Sequence, residues 1–469
     1  MPADLWPEAA RTLRMQIRRD RSARRVASPP NAHGPRRSRS PLQHILRNTG
    51  WLLGGKGLGA LCGIAYLAIL AKGLGLKDFG HFSLIVGTSQ ALIAFAGFQT
   101  TRVMVRYGVR HVHHTDWDRL GRLTMVCGLL DAASAMIGCI IALVAIMGFP
   151  RQLDLNPAYV APALWFCCAS CWTLASTPTG LMRALNRFDV AMRIEAVVPV
   201  GRLVAALLIW WAGPSVERFL LAWLLIDTME ALLYWLVVRH ICPRCLRFAH
   251  LRNWRDTFAE NERLWQFLRV TYVSSTLDGF VKNGPVLAIG AFLSTSGAGL
   301  YRLAAQLSGA LNKLSSLLAR SVYAEMARLH VAAEPAKFRR FAAQGSLIAG
   351  CTGIVVILAA LQFGPYLLGV IGGKDFIRGA AILVPLTIAA SAELAGVVFE
   401  PILHSAGRVS LSLLARGCGA VMLAIGLACL IHTGPSGAAW AVAAGALASY
   451  LALGLLAWRA LTAGSRRQR

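Results

Sequence analysis

Thirteen ionisable side chains lie inside long apolar stretches of this sequence. They are Lys56, Arg102, Asp131, Glu195, Arg202, Asp227, Glu230, Asp278, Lys282, Arg302, Lys313, Glu393 and Glu400. An unpaired charge in hydrocarbon costs at least about 2.5–3.5 kcal/mol, so such residues commonly bind ligands, carry ions or protons, or pair with one another. The first, second, seventh and eighth stretches hold five of the bases with one acid, Asp278. The third, fifth, sixth and tenth hold six acids with one base, Arg202.

The eighth stretch carries two bases separated by three helical turns. Arg302 and Lys313 are eleven residues apart, which places them on one helix face together with Gln306 and Gly309. A polar stripe of this length favours a water-filled cavity. The alternative is that Arg302 and Lys313 extend to opposite membrane interfaces.

The seventh stretch combines a charge pair with a helix breaker. Asp278 and Lys282 are four residues apart, so they can form a structural ion pair or take part in ion coupling. Asn283, Gly284 and Pro285 follow, and proline removes a helical hydrogen bond and kinks a helix. Gly284 and Pro285 are therefore a candidate hinge, and this helix is a candidate moving element.

Further candidate functional residues lie outside the seventh and eighth stretches. Asp227 and Glu230 predict either a proton or cation site or hydrogen-bonded neutral carboxyls. Lys56 stands within a Gly-x3-Gly-x3-Gly pattern that favours close helix packing. No metal site is predicted, although whether zinc binds at four potential ligands stays open. These are His240, Cys242, Cys245 and His250. No phosphate-binding glycine loop with its lysine is present, so we expect no ATP-driven step and no cofactor.

The elements that must position these groups are membrane helices. Of the 469 residues, 56% are hydrophobic and 15% are charged, which excludes an ordinary soluble enzyme. Runs long enough to span a bilayer fall at about 50–71, 82–104, 123–148, 159–182, 194–213, 217–238, 270–293, 298–319, 341–369, 379–403, 411–431 and 436–458. The sequence therefore predicts an all-α membrane protein with about 12 transmembrane helices.

The net charge of +26 is interpreted as a topology signal rather than as nucleic-acid binding. Alternate inter-helix segments, with the two terminal segments, hold 36 Lys and Arg residues, including Arg416 in the segment 404–416, whereas the opposite loops hold 6. By the positive-inside rule, both termini are expected to be cytoplasmic. The loops on the outer side are too short for a separate domain.

Internal similarity predicts two six-helix halves. Residues 79–84 resemble residues 298–303 at an offset of 219, and residues 181–187 resemble residues 402–408 at an offset of 221. Two such halves would be related by an axis along the membrane normal. The expected domains are an Arg-rich disordered cytoplasmic arm at 1–49, bundles at 50–239 and 270–459 joined by a cytoplasmic linker at 240–269, and a basic tail at 460–469.

Several motifs resemble those of polysaccharide-transport proteins, the lipid-linked oligosaccharide flippases of the multidrug/oligosaccharidyl-lipid/polysaccharide exporter superfamily. They are Asn48-Thr49 before Trp51 and Gly55-Lys56; Leu74-Gly75 with Phe79-Gly80-x-Phe82-Ser83-Leu84; Thr101-Arg102 to Arg106-Tyr107; Gly299-Leu300-Tyr301 with Gln306; Ser321-Val322 to Ala327-Arg328-Leu329; Ala406-Gly407-Arg408; and Gly437-Ala438-Ala439. The sequence departs from the family where prolines are usual, at Leu76 and Ala324.

The resemblance implies two six-helix bundles around a central cavity lined largely by helices 1, 2, 7 and 8, in a bacterial inner-membrane protein. Cavity cations and polar groups would then receive an undecaprenyl-diphosphate-linked oligosaccharide during alternating access. The residues in question are Lys56, Arg102, Lys282, Arg302, Gln306 and Lys313. Translocation rather than catalysis is expected, in lipopolysaccharide or exopolysaccharide synthesis, with the bilayer and glycan polymerase or export proteins as partners. The alternatives are an ion-coupled small-molecule or multidrug antiporter, a membrane glycan polymerase or glycosyltransferase, and an inactive scaffold.

Overall fold

A computed structural model describes residues 41–148, 156–310, 335–396, 399, 403 and 409–467. For residues 41–58, 60, 335–349, 409–410 and 460–467 it describes the backbone alone. The structure describes almost no side chains of the predicted arm, the predicted tail or the repeat segment 402–408.

The described residues are helical and contain no strand. The helices are α1 Pro41–Ala96, α2 Thr100–Val103, α3 Val109–His113, α4 Trp117–Gly148, α5 Pro157–Cys171, α6 Ser176–Ala184, α7 Phe188–Ala212, α8 Val216–Ile241, α9 Asp256–Glu260, α10 Leu264–Phe292, α11 (described at 295–310), α12 Pro335–Gly372, α13 Ala380–Gly396, α14 Val409–Leu430 and α15 Pro435–Arg467. A π-helical turn, Met104–Gly108, joins α2 to α3. Each of the twelve predicted runs contains helix.

Nine helices of the described residues are long and apolar enough to cross a membrane. They are Leu61–Ala96, Trp117–Gly148, Pro157–Ala184, Phe188–Ala212, Val216–Ile241, Gly350–Gly372, Lys374–Gly396, Leu411–Thr433 and Pro435–Arg459. The prediction of an all-helical membrane protein is confirmed. The predicted symmetry of two bundles stays a prediction.

The predicted turn between the first two runs is a kink in one continuous helix. α1 passes through Gly75, whose φ of 72° and ψ of 176° are not helical. Glycine adopts positive φ at little cost, which permits the bend. α1 then ends at Ala96, and α2 begins after Gln99, whose backbone is left-handed.

One hydrophobic core draws on both predicted halves at the end expected to face outward. Phe79 of α1 packs edge to face on Phe376, with ring centroids 5.5 Å apart. A Cβ at Gly80 would lie 2.1 Å from the carbonyl oxygen of Thr295, and one at Gly299 would lie 3.1 Å from the Gly80 Cα. The similar motifs at 79–84 and 298–303 are therefore in contact at Gly80 and Gly299.

A second core lies at the other end and belongs mainly to the first half. It combines buried residues of α4, α6, α7 and α8 with the π-turn, and includes Cys242 and Cys245 of the linker and Leu264 and Leu268 of α10. The linker and the start of α10 are thus packed onto the first half. This packing fixes where α10 enters the bundle and so positions its charged middle.

Candidate functional site

One cluster of charged side chains surrounds Asp278 in the middle of α10. Arg416 Nη1 of α14 donates to Asp278 Oδ1 at 2.8 Å, and Arg102 Nη2 of α2 lies 3.9 Å from Asp278 Oδ2. The exposed fractions of the side chains are 48% for Arg102, 45% for Asp278 and 33% for Arg416. One carboxylate is therefore shared by guanidinium groups from both predicted halves, and all three groups remain accessible.

Arg416 is a functional candidate that the sequence prediction missed. Arg416 belongs both to the predicted inward segment 404–416 and to the predicted run 411–431, and the structure places it in the helix, because α14 begins at Val409 and Arg416 lies within the candidate span Leu411–Thr433. The available signal was its position inside the eleventh apolar run. Asp278 contacts Arg416 and Arg102, and its expected pair with Lys282 on the same helix stays a prediction.

A cavity of about 590 Å³ opens beside this cluster. Its walls are formed by α10, α11, α13, α14 and α15, and mostly by small or apolar side chains such as Ala305, Ala389 and Gly419. Its ionisable lining is Asp278, Lys282, Glu393 and Arg416, with Ser308, Ser449 and the tyrosines 301 and 450 as further polar groups. The cavity thus combines a charged part with an apolar remainder.

Arg302 is placed away from this cavity. Its Nη2 donates to Gln90 Oε1 of α1 at 3.2 Å, so α11 is tied to the first half. Gln306 is exposed, and neither residue is part of the cavity lining, although Gly309 is. The predicted polar face of this helix is therefore divided between two surroundings. Lys313 lies outside the described residues, as does the side chain of Lys56.

The acids of α8 occupy a separate polar cluster. Arg202 Nη2 of α7 donates to both oxygens of Asp227, at 2.7 and 3.0 Å, and its guanidinium lies 5.1 Å from the Trp223 ring centroid. Tyr66 of α1 packs on the same Trp223 at 5.2 Å. Asp227 is therefore half of an ion pair. Glu230, one helical turn further on, is half-buried beside it.

The candidate hinge residues lie within an uninterrupted helix. α10 continues through Gly284 and Pro285, and a Cβ at Gly284 would lie 3.3 Å from the Phe280 ring. The hinge role stays a prediction.

Helix breaks are found instead in the first half. One lies at 97–99 between α1 and α2, and the other at 172–175 between α5 and α6. Buried Asp131 of α4 connects both breaks. It accepts hydrogen bonds from Thr100 Oγ1 (2.7 Å), Thr177 N (3.0 Å) and Thr177 Oγ1 (2.6 Å). A helix start exposes backbone N–H groups, and a carboxylate is the natural acceptor for them.

Whether the four potential zinc ligands of the linker bind a metal stays an open question. Among the residues that the structure describes, no group of three or more His, Cys, Asp or Glu side chains could hold a metal ion. Cys242 and Cys245 are joined as a disulfide, and His250 Nε2 lies 3.1 Å from the Arg244 carbonyl oxygen.

Comparisons with known proteins agree with this arrangement of helices. A family model described as "Polysaccharide biosynthesis protein" matches residues 45–330. The inner membrane protein YghQ of Escherichia coli (strain K12) is 24% identical over 337 residues, which are 71% of this chain and 94% of that protein.

Two solved structures share the fold. The lipid II flippase MurJ in an inward closed conformation has a TM-score of 0.68 at 11% identity, covering 86% of each chain. An inward-facing MATE family multidrug resistance transporter of the MOP superfamily has a TM-score of 0.64 at 15% identity, covering 87% of this chain and 96% of that one. The chain therefore has the fold of these transporters.

Proposed function

The chain belongs to the polysaccharide biosynthesis protein family, and from that premise we propose that it moves a lipid-diphosphate-linked oligosaccharide across the bacterial inner membrane. The proposed work is translocation by alternating access, with no covalent step. The substrate would be an undecaprenyl-diphosphate-linked glycan made for a cell-surface polysaccharide, and a glycan polymerase or export protein would be the partner that uses it. Both termini are placed in the cytoplasm by the positive-inside rule.

The observation that carries this proposal is the shared carboxylate of Asp278. Two guanidinium groups converge on it, Arg416 at 2.8 Å and Arg102 at 3.9 Å. Arginine is the side chain best suited to paired hydrogen bonds with phosphate. A diphosphate carries more negative charge than a carboxylate and has more acceptor oxygens, so it can replace Asp278 between the two arginines.

Other groups then have roles in recognition. Lys282, one turn from Asp278, would add a third positive charge at the same cavity. Arg302, held by Gln90, and exposed Gln306 would contact the substrate where α11 meets the first half. Lys56 and Lys313 are retained as candidates from the sequence alone. The lipid tail would stay in the bilayer, where its burial costs nothing.

The acids are assigned to ion coupling. Asp278 would alternate between pairing with arginine and release, so that a coupling ion would bind it only in the released state. Asp227 and Glu230 would serve the same purpose in the first half, with Arg202 as the counter-ion of Asp227.

The test is reconstitution of the purified chain in liposomes with a fluorescent lipid-diphosphate oligosaccharide, whose exposure is followed by a membrane-impermeant quencher. We expect transport by the wild type and a loss of about ten- to hundredfold in kcat/KM for Arg102→Ala or Arg416→Ala. This range corresponds to one charge-assisted hydrogen bond of about 1.5–3 kcal/mol. The control is Arg193→Ala, since Arg193 is an exposed cation of α7.

Asp278→Asn separates recognition from coupling. Because it removes the competing carboxylate, we expect tighter binding of the lipid diphosphate together with slower net transport. Absence of transport by the wild type would refute the flippase proposal. Transport unaffected by either arginine substitution would refute the assigned site. Proton- or sodium-driven export of a cationic dye, without lipid movement, would favour the antiporter.

A further inference from the structure

The linker between α8 and α10 is a folded element anchored to the first half. It consists of 3-10 turns at Pro243–Leu246 and Phe248–Asn253 followed by α9. Its inner face is buried at Cys245, His250, Thr257 and Asn261.

Specific contacts hold this inner face in place. Arg122 of α4 donates from Nε to Glu260 Oε2 at 3.3 Å and also pairs through Nη2 with Oε1. His111 Nε2 lies 3.0 Å from Asn261 Oδ1, and Tyr107 donates to the Glu262 carbonyl at 3.1 Å. These contacts orient the linker on the first half and leave its opposite face exposed.

This exposed face, which is called the outward face of the linker, is aromatic and cationic. Phe248 is 82% exposed, Trp254 44% and Trp265 52%. The exposed bases are Arg244, Arg247, Arg252, Arg255, Arg263 and Arg269. The guanidinium of Arg255 lies 5.6 Å from the Trp254 ring centroid, and that of Arg269 lies 5.7 Å from the Trp265 centroid.

The charge of this face is strongly one-sided. Asp256 and Glu262 are its exposed acids, whereas Glu260 is already neutralised by Arg122. The face is also continuous with the candidate membrane span Val216–Ile241, because the linker begins directly after Ile241; it ends at Leu264, where α10 begins. Tryptophan and arginine at such a position are typical of the water–lipid interface, and an exposed phenylalanine is typical of shallow insertion.

We propose that this outward face is a binding surface for the anionic phospholipid headgroups of the adjacent membrane leaflet. Phe248 inserts among the acyl chains just below the headgroups, and Arg247, Arg252 and Arg255 bind lipid phosphates. The surface thereby fixes the first half against the bilayer, independently of whichever substrate the transporter carries.

The test uses full-length protein carrying photoreactive benzoylphenylalanine in place of Phe248, reconstituted in vesicles with equal amounts of phosphatidylcholine and phosphatidylglycerol. After illumination, mass spectrometry identifies the cross-linked lipids. We expect phosphatidylglycerol to exceed phosphatidylcholine about fivefold, the effect of a single basic residue near an anionic surface. Benzoylphenylalanine in place of Trp211 is the matched control. Trp211 is 90% exposed and lies at the C-terminal end of α7, whereas the N-terminal end of α7 packs in the core that includes the linker. That position should report the bulk lipid ratio.

Two changes should remove the enrichment at 248 while leaving the control position unchanged. One is the triple variant Arg247→Gln, Arg252→Gln and Arg255→Gln. The other is high salt, which screens the arginines in protein that retains all three of them, so this test does not depend on whether the triple variant folds. Equal cross-linking of both lipids would show apolar contact without headgroup binding and would overturn the proposal. Absence of lipid cross-links at 248 would overturn it as well.

Discussion

Substitution of Gly80 should separate the two halves at their outer contact. An alanine Cβ at this position would lie 2.1 Å from the Thr295 carbonyl oxygen, which belongs to the backbone and cannot rotate away. An ordinary contact needs about 3.2 Å, so α1 and the start of α11 must move apart by about 1 Å. Such overpacking typically costs about 1–3 kcal/mol.

This cost can be measured as local opening. Because 1.36 kcal/mol corresponds to tenfold, Gly80→Ala should raise the opening equilibrium of residues 76–85 and 295–303 by about five- to 150-fold. Hydrogen exchange of the protein in nanodiscs, read by mass spectrometry, measures this factor. Transport should fall at the same time, because the proposed alternating access requires the two halves to close against each other.

Gly128→Ala is the matched control. Nothing lies within 4 Å of a Cβ at Gly128 in α4, and alanine is the better helix former. This variant should exchange at or below the wild-type rate. Unchanged exchange around Gly80→Ala, or an equal increase in both variants, would refute the assignment of Gly80 and Thr295 as the outer contact.

Three further substitutions test other contacts. Asp131→Asn should lower the free energy of unfolding in detergent by about 2–4 kcal/mol, because it weakens three buried hydrogen bonds; Ser134→Ala, which loses a bond within its own helix, should cost less than about 1 kcal/mol. Asp227→Asn should cost about 1–3 kcal/mol by leaving the guanidinium of Arg202 without its carboxylate, and additional loss of Arg202 should restore much of this in a double-mutant cycle. Gly121→Ala should speed hydrogen exchange in the linker, because the new Cβ would lie 2.6 Å from the His250 ring; an unchanged linker would contradict its docking.

The helical architecture could be predicted because it follows from local properties. Apolar length fixes how many segments can span a bilayer, and the asymmetry of basic residues fixes their expected orientation. The gap between the predicted runs 50–71 and 82–104 contains a kink rather than a loop, since a single glycine with positive φ, Gly75, bends α1 without ending it. The breaks at 97–99 and 172–175 were missed because their stabilising partner, Asp131, is distant in sequence.

The candidate site was only partly predictable for the same reason. Lys282 and Gly309 both line the cavity, but spacing along one helix could not show that Asp278 is shared by Arg102 and Arg416. Those contacts join residues from three helices. A charge near the end of an apolar run is as compatible with a loop as with a helix, which is why Arg416 belongs both to a predicted inward segment and to a predicted run.

The two sides of α10 are held by different kinds of contact, and this difference bears on how substrate could drive movement. Toward the first half, α10 packs through small residues: a Cβ at Gly279 would lie 2.4 Å from the Ala94 Cβ, and Tyr272 donates to the Phe95 carbonyl at 2.8 Å. Toward α14, the contact that orients it is the half-exposed pair of Asp278 with Arg416. Close packing is insensitive to an anionic ligand, whereas an accessible ion pair is open to competition from one. A bound diphosphate would therefore compete with Asp278 for Arg416 of α14 and for Arg102 of the first half, while the close packing of α10 on α1 stays in place.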